Sequence, residues 1–208
     1  MDVRNISQQT IRRLPVYLRF LQTQNSPYVS ATAIADVFGL NEVQVRKDLS
    51  SVSVSKGRSG VGYHTQTLIA DIQRLLGCDQ KRLAVLVGAG NLGRAMLGYS
   101  GFDGCGMRIC AAFDQSPSLI GSDISGVRIY PSGQIESFCR MMKVEIGIIT
   151  VPGPQAQSVC TQLLEGGIKA IWNFAPVHLS VPEGTLLHNE NLAASTTVLT
   201  KSLMRHPE

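Results

Sequence analysis

Three glycines form the part of this sequence with the clearest chemical meaning. Gly88, Gly90 and Gly93 follow the apolar stretch at 84–87 and open a segment with helical spacing. A glycine turn between a strand and a helix lets backbone N–H groups approach a pyrophosphate, and the helix N-terminus favours the anion. The spacing predicts a dinucleotide site whose cofactor contacts come from Gly88, Ala89, Gly90, Asn91, Leu92 and Gly93.

An acidic residue lies where such a site needs one. Asp114 ends the next predicted strand, in "AAFD", 21 residues beyond Gly93. A carboxylate there accepts hydrogen bonds from the adenosine ribose hydroxyls and repels a 2′-phosphate, so it favours NAD over NADP. The other interpretation is that Asp114 only caps the turn before "QSPS". A coenzyme A protein would keep a similar glycine turn, but Asp114 argues against that ligand.

Two later segments fall at the predicted carboxyl ends of strands, where open α/β sheets bind ligands. They read "TVPGP" at 150–154 and "WNFAP" at 172–176. Both either line the nicotinamide half of the cofactor or are merely strand ends closed by proline, and the residues alone leave the two interpretations open. Under the first, the contacts are Thr150, Val151, Pro152, Asn173 and Phe174.

The elements that position these residues alternate between strand and helix. We expect strands at 82–87, 108–113, 127–130, 144–151, 168–174 and 185–189, and helices near 91–99, 133–142 and 154–166. Continuous apolar runs such as "IGIITV" are typical of a parallel sheet covered on both faces. The second part of the chain, 81–190, is therefore predicted to be a Rossmann-like, doubly wound α/β domain, with one further helix in 191–208.

The first part of the chain is basic and the second is not. Residues 1–82 contain 11 Lys and Arg against 6 Asp and Glu, whereas residues 83–208 contain 8 against 9, which together give the net charge of +4. A basic N-terminal third indicates a polyanionic partner for that part only. We place the domain boundary near residue 80, so that residues 1–80 form a separate domain.

Two short helices in this basic part are spaced like a helix-turn-helix. Ser30 is a predicted N-cap of the first helix and Gly39 ends it, while Asn41 caps the second with Gln44 in a capping box. The second helix turns Val45, Leu49 and Val52 inward, and its opposite face carries Val43, Lys47 and Ser50, flanked by Arg46 and Ser51. Any pair of antiparallel helices could share the spacing, but these side chains can reach base edges and phosphates.

A basic hairpin follows the second helix. The stretch "SVSVSKGRSGVGY" alternates valine and serine, turns near Gly57 and resumes at Val61. It is predicted to be the wing of a winged helix-turn-helix, the alternative being an ordinary solvated hairpin. The predicted contacts to double-stranded DNA are Arg13, Gln44, Arg46, Lys47, Ser50, Lys56 and Arg58.

Residues for catalysis and for metal binding are not evident. Nearly all of 81–190 is used by the predicted Rossmann unit, and His178 is the one histidine placed where it could act as an acid or base. The five cysteines are scattered, with no CxxC pair, and are interpreted as small buried hydrophobes. We therefore predict binding without turnover, no metal and no membrane span, in a cytoplasmic protein. A small NAD-dependent oxidoreductase is the alternative.

Taken together, the sequence resembles the redox-sensing transcriptional repressors of the Rex family, found in Gram-positive and related bacteria. The resemblance covers nearly the whole chain and rests on several segments beyond the glycine turn. These are "RLPVYLRFL", "QVRKDLS", "GVGY", "VGAGNLGRAMLGYSGF", "AAFD", "IITVP", "GIKAIWNFAPVHLSVPEG" and "NENLA".

The resemblance implies a homodimer with N-terminal winged helices, central Rossmann cores and domain-swapped C-terminal helices. It implies that NADH releases palindromic operator DNA whereas NAD⁺ permits repression. Arg46 and Lys47 fall on the family's recognition-helix cations, and Tyr99 falls on its hinge tyrosine. The chain departs from the family in the wing, and at Asn191 and Leu192, where some relatives have an acidic residue and then a phenylalanine. A neutral asparagine can still bond to Tyr99, but without charge assistance.

Overall fold

The computed structural model describes residues 6–58 and 60–190, and beyond them residues 193, 196, 200 and 201. The chain divides into two compact units. The first comprises Met1–Lys81 and Asp103–Gly106, and the second comprises Arg82–Phe102 and Met107–Glu208. Within the described residues no helix is long and apolar enough to cross a membrane.

The N-terminal unit consists of four helices and a small two-stranded sheet. Its elements are α1 (Gln8–Gln22), β1 (Tyr28–Val29), α2 (Ala31–Phe38), α3 (Glu42–Val52), β2 (Tyr63–His64) and α4 (Thr65–Leu76). The strands β1 and β2 pair in antiparallel fashion. Apolar side chains from all four helices and from β1 form one core, in which Leu14, Ile34, Val45, Leu49 and Ile72 are fully buried. The predicted inward stripe of α3 is confirmed.

Local signals explain where these helices begin and end. The hydroxyl of Ser30 accepts from the backbone N–H of Ala33 and caps α2. Gly39 ends α2 in the left-handed conformation that glycine adopts without strain. The helix α1 begins at Gln8, where the Ser7 hydroxyl accepts from the N–H of Thr10, and Pro15 lies inside the helix.

The predicted wing hairpin is much shorter in the structure. Residues 53–57 form no strand, and the hairpin is reduced to a single bridge between Arg58 and Gly62. The backbone N–H of Val54 instead donates to the carboxylate of Asp71 on α4, at 2.9 Å. Because this N–H group donates to a side chain, it is not available for a hydrogen bond to a neighbouring strand. The prediction of a strand at "SVSVS" is therefore wrong.

The second unit alternates strands and helices as predicted. Its elements are β3 (Arg82–Val87), α5 (Asn91–Leu97), β4 (Met107–Asp114), β5 (Asp123–Ile124), β6 (Val127–Pro131), α6 (Ile135–Met142), β7 (Ile146–Ile149), α7 (Gly153–Glu165), β8 (Ala170–Asn173) and β9 (Leu186–Asn189). The strand order is β5-β6-β4-β3-β7-β8-β9, and every pairing except β5 with β6 is parallel.

Without β5, this order is that of a doubly wound dinucleotide-binding fold, which reverses direction between β3 and β7. Separate apolar clusters cover the two faces of the sheet. The predicted α/β class and parallel sheet are confirmed, while the two-residue strand β5 was not predicted. Residues 193, 196, 200 and 201 are helical, as expected for this segment, whereas Asn191 and Leu192 lie outside the described residues.

Candidate functional site

The glycine turn after β3 has the geometry that a phosphate-binding turn requires. Gly88 has φ +104°, which side-chain-bearing residues rarely adopt, and a Cβ there would lie 2.9 Å from the carbonyl of Thr150. Its N–H donates to the carbonyl of Phe113 at the end of β4, at 2.8 Å. The turn is therefore fixed between the ends of three strands, β3, β4 and β7.

The other two glycines differ in what surrounds them. A Cβ on Gly93 would lie 2.0 Å from the carbonyl oxygen of Gly88, so only glycine lets α5 pack this closely on the turn. A Cβ on Gly90 would meet nothing within 4 Å. The space over Gly90 is thus open to a ligand, and the exposed residues Asn91 and Leu92 begin α5 beside it. The first N–H groups of a helix have no partner within it.

A cleft of about 440 Å³ opens beside this turn, at the carboxyl ends of β3, β4 and β7. Open α/β sheets bind ligands at this reversal of strand order. Polar side chains from α7 face apolar ones from the strands across the cleft. The lining comprises Val87, Gly88, Gly90, Phe113, Asp114, Gln115, Ser132, Thr150, Val151, Pro152, Pro154, Gln155, Ser158, Val159 and Gln162.

Asp114 lies in the cleft and holds two backbone segments. One carboxylate oxygen accepts from the N–H of Ala89 in the glycine turn, and the other from the N–H of Ser116, both at 2.8 Å. The bond to Ser116 is the turn cap considered as the alternative role. A carboxylate can accept about four hydrogen bonds, so two positions remain for ribose hydroxyls. Ribose binding by Asp114 stays a prediction.

The two segments predicted at the carboxyl ends of later strands differ in whether they line the cleft. Thr150, Val151 and Pro152 line the cleft, and the Thr150 hydroxyl lies 2.7 Å from the Gly88 carbonyl oxygen. Asn173 is fully buried, and its amide nitrogen lies 2.9–3.1 Å from three oxygens. Two are the carbonyls of Ala175 and Val177 in the loop after β8, and the third is on the side chain of Asn189 at the end of β9. Phe174 packs on Trp172 at 4.8 Å between ring centroids. Neither Asn173 nor Phe174 lines this cleft, and their contact with the nicotinamide half stays a prediction.

Tyr99, the predicted hinge residue, lies just beyond α5 and is 56% exposed. Its ring meets the edge of Phe102 at 5.0 Å, and Phe102 in turn meets Trp172 at 5.9 Å. A line of aromatic rings thus connects an exposed tyrosine to the interior of the sheet. The predicted bond between Tyr99 and Asn191 involves a residue outside the described part of the chain.

In the N-terminal unit, α3 presents the face that the sequence predicts. Val43, Lys47 and Ser50 are exposed, as is Arg46, which forms an ion pair with Glu42 one turn before it. Among residues 6–58 and 60–190, no carboxylate forms an ion pair with Lys47. The charge of Lys47 is therefore available to a phosphate group.

A second cleft, of about 490 Å³, brings Arg46 together with Arg58. It lies between the N-terminus of α2, the start of α3 and the short wing, and Ser30 and Thr32 also line it. Lys56 is exposed on the segment leading into the wing. Glu42 also lines this cleft and forms the ion pair with Arg46. Arg58 is paired with no carboxylate of the described residues and, beside the N-terminus of α2, provides the positive charge that suits phosphate.

The sequence did not reveal Asp48, a buried carboxylate on the inner side of α3. It is 1% exposed and accepts hydrogen bonds from Thr10, Arg13, Tyr17 and Gln44, at 2.7–3.0 Å. Burial alone would raise the pKa of Asp48, but the bonds from Arg13, Tyr17 and Thr10 outweigh it and lower the pKa. Burial and the bond to Asp48 raise the pKa of Tyr17 to about 12.

This network changes the roles assigned to two predicted DNA contacts. Arg13 donates two hydrogen bonds to Asp48, and Gln44 donates one. Arg13 thereby joins α1 to α3, whereas the bond from Gln44 lies within α3. Because its amide is bonded to Asp48, Gln44 forms no capping box with Asn41. The side chain of Asn41 caps α3 by accepting from the N–H of Val43 instead. DNA contact by Arg13 and Gln44 stays a prediction.

The cysteines differ in how far they are buried. Cys139 and Cys160 are buried, and burial raises the pKa of Cys139 to about 11, so neither is a reactive thiolate. Cys105 is exposed, contrary to the interpretation of all five as buried hydrophobes. Within the described residues, no three His, Cys, Asp or Glu side chains could jointly hold a metal ion.

The fold and site define a class of protein that joins a helix-turn-helix unit to a dinucleotide-type cleft. Two family models match the chain, "Putative DNA-binding protein N-terminus" over residues 5–50 and "CoA binding domain" over residues 79–177. The chain belongs to the Rex family of redox-sensing transcriptional repressors. It is 39% identical to the repressor of Clostridium botulinum strain Alaska E43, with 94% of each chain covered. It is also 39% identical to that of Bacteroides fragilis, with 95% of this chain and 91% of the relative covered.

Solved structures agree with this assignment. The repressor RSP in complex with β-NAD⁺ and operator DNA superimposes with a TM-score of 0.85, at 33% identity, covering 95% of this chain and 92% of that one. RSP in complex with β-NADH gives a TM-score of 0.80 at the same identity, covering 96% and 94%. These ligands are those of RSP, a Rex-family repressor.

Proposed function

We propose that this protein is a homodimeric transcriptional repressor that binds palindromic operator DNA and is released from it by NADH. The observation that carries the proposal is the open glycine turn at Gly90 beside the Asp114 cleft, in a chain that also has a helix-turn-helix. The repressors that it resembles are regulators rather than enzymes. The nucleotide is therefore a signal and not a substrate, and the cytoplasm, where the genome lies, is the place of action.

The cofactor would lie across the carboxyl ends of β3, β4 and β7. The pyrophosphate would bind over Gly90 at the start of α5, and the adenosine ribose would bind at Asp114. Val151 and Pro152 line the same cleft as Asp114, so we assign them to the adenosine half rather than to the nicotinamide half suggested by the sequence. The carboxylate of Asp114 would repel a 2′-phosphate, so NAD(H) is favoured over NADP(H). The bond from Ala89 to Asp114 fixes the ribose acceptor to the pyrophosphate turn.

The DNA contacts would come from the outer face of α3 and from the wing. Lys47 and Ser50 would lie along the major groove, because both are on the exposed face of α3 and a recognition helix lies in that groove. The cations Arg46, Lys47, Lys56 and Arg58 would neutralise phosphate groups, which provides affinity rather than sequence selectivity. Tyr99, with Asn191 and Leu192, would connect the nucleotide site to the dimer arrangement.

The dimer links the two functions through geometry. Two recognition helices read a palindrome only when their separation matches the DNA repeat, about 34–36 Å or a multiple of it. A ligand that favours a different arrangement of the two cores changes this separation and lowers the affinity for operator. NADH and NAD⁺ bind the same turn, so they must differ in which arrangement they stabilise.

The proposal is tested by binding the full-length protein to a pool of palindromic DNA sites at one fixed salt concentration. The selected operator is then titrated with NADH, NAD⁺, NADPH and coenzyme A, the last because of the family model that matches residues 79–177. We expect release by NADH alone. Binding that responds to no nucleotide would contradict the sensor, and turnover of NADH without any DNA binding would favour a small oxidoreductase.

A further inference from the structure

The buried carboxylate of Asp48 does more than join two helices, because one of its partners lies on the exposed side of α3. Gln44 precedes Asp48 by one helical turn, and its amide nitrogen donates to Oδ1 of Asp48 at 3.0 Å. Gln44 itself is exposed and neighbours Val43 and Lys47 on the face predicted to meet DNA. The buried carboxylate of Asp48 thus fixes the exposed side chain of Gln44 through a hydrogen bond.

The orientation of the Gln44 amide is determined by this contact. An ionised carboxylate can only accept hydrogen bonds, so the nitrogen of the amide must face Asp48 and the oxygen must face away. Asp48 stays ionised because Arg13, Tyr17 and Thr10 all donate to it. Among the described residues, Oε1 of Gln44 accepts no hydrogen bond. The bond to Asp48 uses one of the two amide N–H groups and leaves the other, together with Oε1, for a ligand.

An acceptor and a donor side by side on a glutamine amide match one base edge. Adenine presents its N6 amino group and its N7 acceptor in the major groove, and glutamine binds both at once. A free glutamine can turn its amide over and lose this match, whereas the bond to Asp48 prevents the turn. Fixing the donor and acceptor before binding also lowers the entropy lost on binding.

We propose that Gln44 recognises one adenine in each operator half-site and that Asp48 is the positioning residue that holds its amide in the required orientation. This inference rests on the proposed function. It assigns sequence selectivity to Gln44, whereas the exposed cations of α3 and of the wing supply affinity. Loss of the Asp48 contact should therefore change which sequence is preferred, and not only how tightly DNA is bound.

The test measures affinity for the selected operator and for variants in which each half-site position is changed in turn. The wild-type protein should prefer adenine at one position by about 10- to 100-fold, the range expected of a bidentate contact. Gln44→Ala should reduce this ratio to within twofold and leave the other positions unchanged. Gln66→Ala, which removes an exposed glutamine from α4, is the matched control and should leave every ratio as in the wild type.

Asp48→Asn tests the positioning role. An asparagine amide can donate as well as accept, so it permits both orientations of Gln44, and the adenine ratio should fall at least threefold. Tyr17→Phe removes another bond to Asp48 but leaves the one from Gln44. It should lower the melting temperature and retain the ratio. If Asp48→Asn does not fold, Asp48→Glu, which keeps the charge but displaces the carboxylate by one methylene, takes its place.

Three results separate the possibilities. A wild-type base profile in Gln44→Ala would overturn the reading of adenine by Gln44. A reduced melting temperature with an unchanged adenine ratio in the Asp48 variant would show that Asp48 acts only on stability. A wild-type protein that selects no sequence from the DNA pool would refute the proposed function itself, and the inference with it.

Discussion

Gly90 offers the sharpest test of the nucleotide site, because the structure separates its role in folding from its role in binding. Gly90 has φ −71° and ψ −163°, an extended conformation that alanine also adopts. An added Cβ would meet no atom within 4 Å. Alanine is a poorer N-cap than glycine, but it also reduces the entropy of the unfolded chain, so the two effects on stability nearly cancel. Gly90→Ala should therefore fold normally.

The same Cβ would protrude about 1.5 Å into the space where the pyrophosphate must approach the backbone. A hydrogen bond to a charged group contributes about 1.5–3 kcal/mol, and displacement of the phosphate should cost one or two such bonds. The expected loss of about 2–4 kcal/mol corresponds to roughly a 30- to 1,000-fold rise in the Kd for NADH. Operator binding without nucleotide should stay at the wild-type level, since Gly90 belongs to the second unit.

Calorimetric titration with NADH and a thermal melt without ligand together decide the outcome. Gly104→Ala is the control, because Gly104 also has open space around its Cβ position and an ordinary φ, but lies outside the cleft. We expect the control to bind NADH with wild-type affinity. A Gly90→Ala protein that binds NADH within threefold of wild type would refute the placement of the pyrophosphate.

Four further predictions concern other parts of the molecule. Gly93→Ala should lower the free energy of unfolding by about 3 kcal/mol or more in a denaturant titration, because its Cβ would overlap the Gly88 carbonyl oxygen at 2.0 Å. Wild-type stability would show that α5 can shift freely. Asp114→Ala should weaken NADH binding measured by calorimetry and spare DNA binding, whereas equal NADH affinity would exclude a ribose contact. Lys47→Gln should weaken operator binding and reduce the slope of log K against log salt concentration by about 1 per recognition helix. The control Lys143→Gln, in the second unit, should change neither quantity. An unchanged slope in Lys47→Gln would place Lys47 away from phosphate. Since the pKa of Tyr17 is raised from 10.0 to about 12, its contribution to stability is complete below pH 10 and is lost as the pH rises to about 12. In Tyr17→Phe, the free energy of unfolding measured by chemical denaturation should fall less between pH 10 and about pH 12 than in the wild type. An identical pH profile in the two proteins would contradict this prediction.

Much of the second unit follows from its sequence. The apolar runs at β3, β7 and β8 are long enough, and buried enough on both faces, to mark strands of a parallel sheet. The glycine turn was predicted between a strand and a helix, and the 2.0 Å approach at Gly93 and the open space at Gly90 fit a turn that brings its backbone close to a pyrophosphate. Asn173 was predicted as a contact of the nicotinamide half because it lies at the end of a strand. Its burial depends on loop carbonyls whose positions no local pattern reveals.

The N-terminal unit shows where local patterns fail. The alternation in "SVSVS" is typical of a strand, but one distant carboxylate, Asp71, takes a backbone donor from it. Asp48 carries a charge and was not considered for the core, although it lies three residues beyond Val45 on the buried side of α3. That position, together with the donors Thr10, Arg13 and Tyr17 along one side of α1, is the signal that could have revealed it. Long-range pairing of this kind is decided by tertiary structure and not by periodicity.

The central claim is that one protein couples NADH binding to release from DNA, and thermodynamic linkage tests it most directly. The affinity for operator is measured with and without saturating NADH, and the affinity for NADH with and without saturating operator, at one salt concentration. The account predicts that operator and NADH weaken each other by the same factor, about 5- to 150-fold for a typical coupling. An NADH affinity that saturating operator leaves unchanged would contradict it.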